Sequence, residues 1–235
     1  MEAKLRVAVI GAGCSGIAAV KCCLDDGLDP VCYEMTRDLG GLWNYRETVE
    51  ENVACVMRST VINTSKEMMA YSDYPIPSHF PNFMHNSLIM DYFRQYVKHF
   101  GLDRYIRYRH QVNTVQKQDG GGWTVCVTDL DAPPDDGSDG EQTRVKDEHF
   151  DAVFVACGHH AVPNIPTIPG LDTYPGTMLH THDYRGSPAR FDGQNVLVVG
   201  VGNSGLDVAT EISRITKQVG MALRLACEVT NDGFS

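Results

Sequence analysis

Val7-Ala8-Val9-Ile10-Gly11-Ala12-Gly13-Cys14-Ser15-Gly16 is an apolar run that breaks into Gly-x-Gly-x-x-Gly. Residues 17–24 then have helical character, and a second apolar run, residues 30–33, ends at Glu34. Strand, glycine turn, helix, strand and acid, in that order, describe a unit built to hold a dinucleotide. Gly11 permits the tight turn. Gly13 leaves room for backbone to approach a pyrophosphate, and Gly16 lets helix and strand pack closely. The helix N-terminus offers the phosphates free N–H groups and a positive dipole end. Glu34, about 20 residues beyond the glycines, stands where an acid accepts hydrogen bonds from ribose hydroxyls.

The same motif recurs. Residues 195–199 read as a strand, Gly200-Val201-Gly202-Asn203-Ser204-Gly205 as a second Gly-x-Gly-x-x-Gly, and residues 206–215 as its helix. Two such units imply two dinucleotides, or two halves of a two-nucleotide machine.

Of the intervening chain, the helix expected over residues 87–100 reads as a scaffold element without chemistry. Asp38-Leu39-Gly40-Gly41-Leu42-Trp43 has the look of a close-approach loop, and Thr64 or Ser65 is placed to cap a short helix from Lys66. Leu88, Ile89, Tyr92, Phe93, Tyr96 and Val97 fall at helical spacing, with Asn86 or Ser87 as the expected N-cap and Gly101 as the stop. Strands are expected at residues 112–115, 123–128 and 144–150. Gly120-Gly121-Gly122 turns the first pair, and an acidic loop spans residues 129–140. Residues 151–158 read as a buried parallel strand. The expected fold is therefore α/β, with two Rossmann-like dinucleotide-binding units and an inserted antiparallel β-meander.

Composition narrows the function. The 235 residues carry a formal net charge of -10, with a pI of about 5.3 and a mean hydropathy of -0.23. That balance gives no electrostatic footprint for nucleic acid. No signal-peptide pattern and no apolar run of membrane-spanning length are visible. The eight cysteines form no Cys-x-x-Cys pair and no zinc spacing, so they read as reduced, buried thiols in a cytosolic-facing protein. His159-His160 lacks a third ligand at sensible spacing, and no metal is expected.

With both glycine motifs placed, the chain resembles the N-terminal part of an animal-type flavin-containing monooxygenase, over about residues 4–219. The Gly11–Gly16 turn (Gly11, Ala12, Gly13, Cys14, Ser15, Gly16) with Glu34 resembles the family's FAD motif, and Gly40-Gly41-Leu42-Trp43 its second flavin contact. Asn63-Thr64-Ser65-Lys66-Glu67-Met68-Met69 resembles its active-site loop, and Phe80-Pro81-Asn82-Phe83-Met84-His85-Asn86 a further family stretch. Gly200, Gly202, Asn203, Ser204, Gly205 and Asp207 fall in the NADP motif. Between the motifs lies Tyr174-Pro175-Gly176-Thr177-Met178-Leu179-His180-Thr181-His182-Asp183-Tyr184, similar to the family's identifying pattern with Tyr174 in place of Phe. The related Baeyer–Villiger enzymes carry Trp where Tyr184 stands and fit less well.

The resemblance implies an FAD-binding domain at residues 1–158, incomplete, and a partial NADP-binding domain at residues 159–235. It implies an N,N-dimethylaniline-type monooxygenase in which NADPH reduces the flavin and O2 adds at its C4a atom. The hydroperoxide oxygenates a soft nucleophile, an amine nitrogen or a thioether sulfur. The cofactor carries the hard chemistry, and Asn63 is the implied active-site residue, an amide able to donate to flavin oxygen or cofactor. Full-length relatives associate with the endoplasmic reticulum membrane through a C-terminal anchor, and the family continues beyond residue 235. Residues 220–229 alternate loosely without following its pattern. A truncated, inactive form that keeps nucleotide binding, weak for FAD, is the alternative. A pyridine-nucleotide disulfide oxidoreductase would need a redox Cys pair near Gly41-Leu42-Trp43, where no Cys stands.

Overall fold

The computed structural model describes residues 3–133, 144–186 and 188–222. The chain divides into two compact units, the first ending at Pro163 and the second beginning at Asn164.

The first unit starts with strand β1 (Arg6–Ile10), helix α1 (Cys14–Asp25) and strand β2 (Asp29–Glu34). The short helix α2 (Lys66–Met69) and the longer α3 (Asn86–Phe100) follow. Strands β3 (Ile106–Tyr108), β4 (His110–Lys117), β5 (Trp123–Asp129), β6 (Val145–Phe150) and β7 (Ala152–Val155) complete it. β1 pairs in parallel with β2 on one side and β7 on the other, giving the order β3-β2-β1-β7. β4, β5 and β6 form the separate antiparallel meander.

Strand alternation sorts the core into two layers. Val9 and its register partner Cys32 face the layer made by α1 and α3, where Ile17, Val20, Ile89, Tyr92, Phe93 and Tyr96 are buried. Ala8 and Tyr33 face the other way, onto Val125, Val127 and Phe150 of the meander. The parallel sheet is thus covered by helices on one face and by the meander on the other. This is why residues 7–10 of β1 read as unbroken apolar sequence.

Two expectations are corrected here. Helix α3 starts at Asn86, and its cap is His85, whose Nδ1 accepts from Ser87 N–H at 3.2 Å. Asn86 instead points inward, 3% exposed, and its amide Nδ2 donates to the carbonyls of Met57 (3.1 Å), Arg58 (3.0 Å) and Thr60 (3.3 Å). The second correction concerns β7, expected to be buried. It is an edge strand among the described residues, so Phe154 (49%) and Val155 (72%) are exposed. Gly101 does end α3, at φ 65°. Of the acidic loop expected at residues 129–140, residues 134–140 lie outside the described set.

Asn86→Ala removes all three carbonyl contacts at once. The expected loss is about 2 kcal/mol of stability, read from urea unfolding. A change below about 0.5 kcal/mol would show that water satisfies those carbonyls.

The second unit contains strand β8 (Asn195–Val199), helix α4 (Asn203–Ile212) and strand β9 (Gln218–Ala222). β8 and β9 pair in parallel from Asn195↔Gln218 to Val199↔Ala222. α4 begins three residues ahead of the helix expected at 206–215, because Gly202 serves as its N-cap. Of the loosely alternating stretch 220–229, residues 220–222 belong to β9 and residues 223–229 lie outside the described set.

Candidate functional site

The two glycine turns share one construction. Gly11 N–H donates to Tyr33 O at 2.8 Å, and Gly200 N–H donates to Ala222 O at 2.8 Å. Each turn opens at positive φ, 99° at Gly11 and 113° at Gly200, where glycine is favoured. Gly13 (φ -73°, ψ -173°) and Gly202 (φ -72°, ψ 173°) are the helix N-caps, and neither helix has a side-chain cap. Ile17 N–H bonds Gly13 O at 3.1 Å, and Leu206 N–H bonds Gly202 O at 3.0 Å. The third glycine closes the turn in both. A Cβ on Gly16 would sit 1.8 Å from Gly11 O, and one on Gly205 would sit 2.6 Å from Gly200 O. Cys14 and Ser15 in the first turn are exposed, as are Asn203 and Ser204 in the second.

In the first unit three segments converge on the turn. Glu34, 6% exposed, accepts from Ala12 N–H through Oε2 at 2.9 Å. Its Oε1 accepts from Thr36 N–H at 2.8 Å and lies 2.7 Å from the Thr36 hydroxyl. The Gly40-Gly41 loop lies against the same turn, since Gly40 N–H donates to Ala12 O at 2.9 Å. A Cβ on Gly41 would come within 3.3 Å of Gly13 Cα, a tight contact, and Gly41 also sits at a positive φ of 55° that favours glycine. Gly41-Leu42-Trp43 forms a 3-10 turn, with Trp43 packed on the core.

Asn63 and Thr64 lie on the segment that leads into α2, and Asn63 is exposed. Ile62 N–H donates to Met84 O at 2.9 Å. The Lys66 ammonium donates to the carbonyls of Ser78 (2.7 Å) and Phe80 (2.8 Å), tying the active-site-like loop to the stretch that starts at Phe80. Just beyond α2, the Tyr71 hydroxyl donates to Cys14 O at 2.6 Å, anchoring this segment to the start of α1. Burial raises the Tyr71 pKa, which keeps the phenol a donor at neutral pH.

This set fits a dinucleotide. It combines uncapped helix amides, glycine backbone within contact distance and a buried carboxylate beside the turn. A cavity of about 510 Å³ lies elsewhere, bounded by Arg107 of β3 and by meander residues including His110, Asp129 and Glu148. Its mixed charges give no phosphate cradle.

In the second unit, Tyr184 is 3% exposed and its hydroxyl donates to Glu211 Oε1 on α4 at 3.0 Å. The stretch that begins at Tyr174 is thereby fastened to the helix of the second glycine turn. Burial, with Glu211 nearby, raises the carboxyl pKa of Asp207.

Sequence reading missed the Thr36 contacts to Glu34, the Tyr71 bond to Cys14, and Arg46, whose Nη2 donates to Thr36 Oγ1 at 3.1 Å. Thr36 had a weak signal, as a hydroxyl two residues past the acid. Arg46 and Tyr71 had none.

Comparison with known proteins adds independent support. The flavin-binding monooxygenase-like family matches residues 4–232, extending past the expected limit at 219. The chain is 46% identical to flavin-containing monooxygenase 5 of Oryctolagus cuniculus over 232 residues, covering 96% of this chain and 41% of that protein. It is 43% identical to dimethylaniline monooxygenase [N-oxide-forming] 2 of Cavia porcellus, covering 97% of this chain and 42% of that one. Among solved structures, S-allyl-L-cysteine S-oxygenase from Allium sativum superposes with a TM-score of 0.81 at 27% identity, over 99% of this chain and 54% of that one. The chain therefore spans less than half the length of these two curated relatives. The alternative of an inactive form gains no support from these matches.

Proposed function

The chain belongs to the flavin-binding monooxygenase-like family, and from that premise we propose that it forms the FAD- and NADPH-binding part of a monooxygenase. The proposed substrates are soft nucleophiles, amine nitrogens and thioether sulfurs, taken together with O2. The relatives' names support both classes, one an N-oxide-forming enzyme and another an S-oxygenase.

One observation carries this reading: two glycine turns of the same construction occur in one chain, each closed by a glycine whose Cβ would strike backbone. We assign residues 1–158 to FAD and residues 159–235 to NADPH. FAD supplies oxygen activation and NADPH supplies the reducing hydride. The protein's share is binding and orientation. The amides of Gly13, Cys14, Ser15 and Gly16, with Gly11 and Ala12 shaping the turn, hold the FAD pyrophosphate. Glu34 accepts from the ribose, while Gly41, Leu42 and Trp43 line the second contact. Asn63 and Thr64 would contribute to the flavin site, where the Asn63 amide would be available to donate a hydrogen bond. Gly200, Gly202, Asn203, Ser204, Gly205 and Asp207 hold NADPH. No acid–base pair is needed, because the protein's task is to position the reactants and exclude water.

The expectation of buried thiols holds for Cys23 and Cys32, whose pKa values burial raises, and is corrected for Cys14, Cys22 and Cys157, which are exposed. No helix among the described residues is long and apolar enough to cross a membrane.

The test is titration of the purified chain with FAD, followed by addition of NADPH. Quenched flavin fluorescence and NADPH-dependent bleaching of the bound flavin are expected. FAD that stays fully fluorescent and is lost on gel filtration would overturn the assignment.

A further inference from the structure

Arg46 lies five residues beyond Gly41, and its side chain is only 12% exposed. Nη2 donates to Thr36 Oγ1 at 3.1 Å. Nη1 donates to Asn44 O at 3.1 Å and to Gly41 O at 3.4 Å, and Nε lies 3.5 Å from Glu50 Oε1. The guanidinium is therefore nearly saturated by groups that fix the path of the Gly40-Gly41 loop.

These bonds close a ring. Arg46 reaches Thr36, and Thr36 reaches Glu34 through its N–H and hydroxyl. Glu34 accepts from Ala12 N–H. Ala12 O accepts from Gly40 N–H, and Gly41 O returns to Arg46. The ring joins the acid after β2, the glycine turn after β1 and the Gly40-Gly41 loop. The Thr36 hydroxyl has one proton and a neighbour at each end, Glu34 Oε1 at 2.7 Å and Asp38 O at 2.8 Å. Accepting from a cation polarises that hydroxyl and strengthens its own donation.

We propose that Arg46 is a positioning residue for FAD, which holds the Gly40-Gly41 loop and, through Thr36, the Glu34 carboxylate in register with the Gly11–Gly16 turn. This rests on the assignment of the first turn to FAD. Arg46 itself need not touch the cofactor. It fixes the separation of the two glycine loops and the direction of the carboxylate between them. Lysine cannot replace it, because a single ammonium lacks the planar fork that reaches Thr36, Asn44 and Gly41 together.

The experiment is FAD titration of the full chain, read by flavin fluorescence, with NADPH affinity of the same samples measured in parallel. Arg46→Met and Thr36→Val are each expected to weaken FAD binding about tenfold, equal to about 1.4 kcal/mol, with NADPH affinity unchanged. Arg46→Lys should behave like Arg46→Met, and Thr36→Ser should restore wild-type binding. The double variant Arg46→Met/Thr36→Val should bind no more weakly than the poorer single one, as members of one network do. If Arg46→Met loses NADPH binding too, it has unfolded, and the Thr36→Val and Thr36→Ser pair decides the matter. Wild-type FAD affinity in Thr36→Val, failure of Thr36→Ser to rescue, or strictly additive losses would each overturn the proposal. A wild-type chain that does not bind FAD would instead overturn the functional assignment, and this inference with it.

Discussion

Gly16→Val is expected to abolish dinucleotide binding by the first unit and to unfold much of that unit. The added Cβ would lie 1.8 Å from Gly11 O and 2.9 Å from Gly11 C, inside any allowed contact. Both are backbone atoms of the turn, so no side chain can swing aside. Relief requires moving α1 away from β1, and these two elements anchor the main core through Ile17, Val20 and Val9. The expected cost is above about 4 kcal/mol, in the exceptional range for point mutants. Thermal unfolding and FAD titration read it directly. Gly120→Ala is the control, because nothing lies within 4 Å of its Cβ position. Gly16→Val with wild-type melting behaviour would mean that helix and strand do not pack as described.

Glu34→Gln tests the electrostatics of the same site with almost no change in shape. Both carboxylate oxygens accept from backbone N–H groups, Oε2 from Ala12 and Oε1 from Thr36. Glutamine offers one oxygen and one NH2 group. Either orientation turns that NH2 toward a backbone donor, in a site where the residue is 6% exposed. A buried donor without an acceptor costs about 1–3 kcal/mol, and a charge-assisted bond is lost as well. The expected destabilisation is about 3 kcal/mol, with loss of FAD binding on top. Chemical denaturation of the cofactor-free chain isolates the first part. Equal stability of the two proteins would show that water replaces one of the two contacts.

What could be read from sequence follows from how local each feature is. Glycine turns, α3 and the β5 strand are written in short-range patterns, and each formed where expected to within a few residues. β3 was missed because three residues, Ile106–Tyr108, are too few to show a period. Its place beside β2 is set by tertiary pairing. The cap of α3 was misplaced by one or two residues. Asn and Ser are the commoner caps, but here the Asn86 amide is occupied by three carbonyls and the imidazole of His85 does the capping. β7 had the composition of a central strand, yet its environment depends on which strands lie beside it. Arg46 was invisible for a different reason. Its partners, Thr36, Gly41 and Asn44, come together only when the loop folds back on the turn, and no spacing rule encodes that.

One consequence of the sheet order concerns the sequence of events in folding. β1 finds β2 within the first 34 residues, but its other neighbour is β7, and the Arg6–Asp151 bond that starts this pairing joins residues 145 apart. Closing so long a loop carries an entropy cost that no local contact offsets in advance. The wall behind the glycine turn belongs to that late segment, since Ala156 O would lie 2.6 Å from a Cβ on Gly11. A nascent chain thus has the turn, the helix and the acid long before it has the backing that rigidifies them. Cofactor capture is expected to follow synthesis of residue 156, and ligand added earlier should meet a half-built cradle.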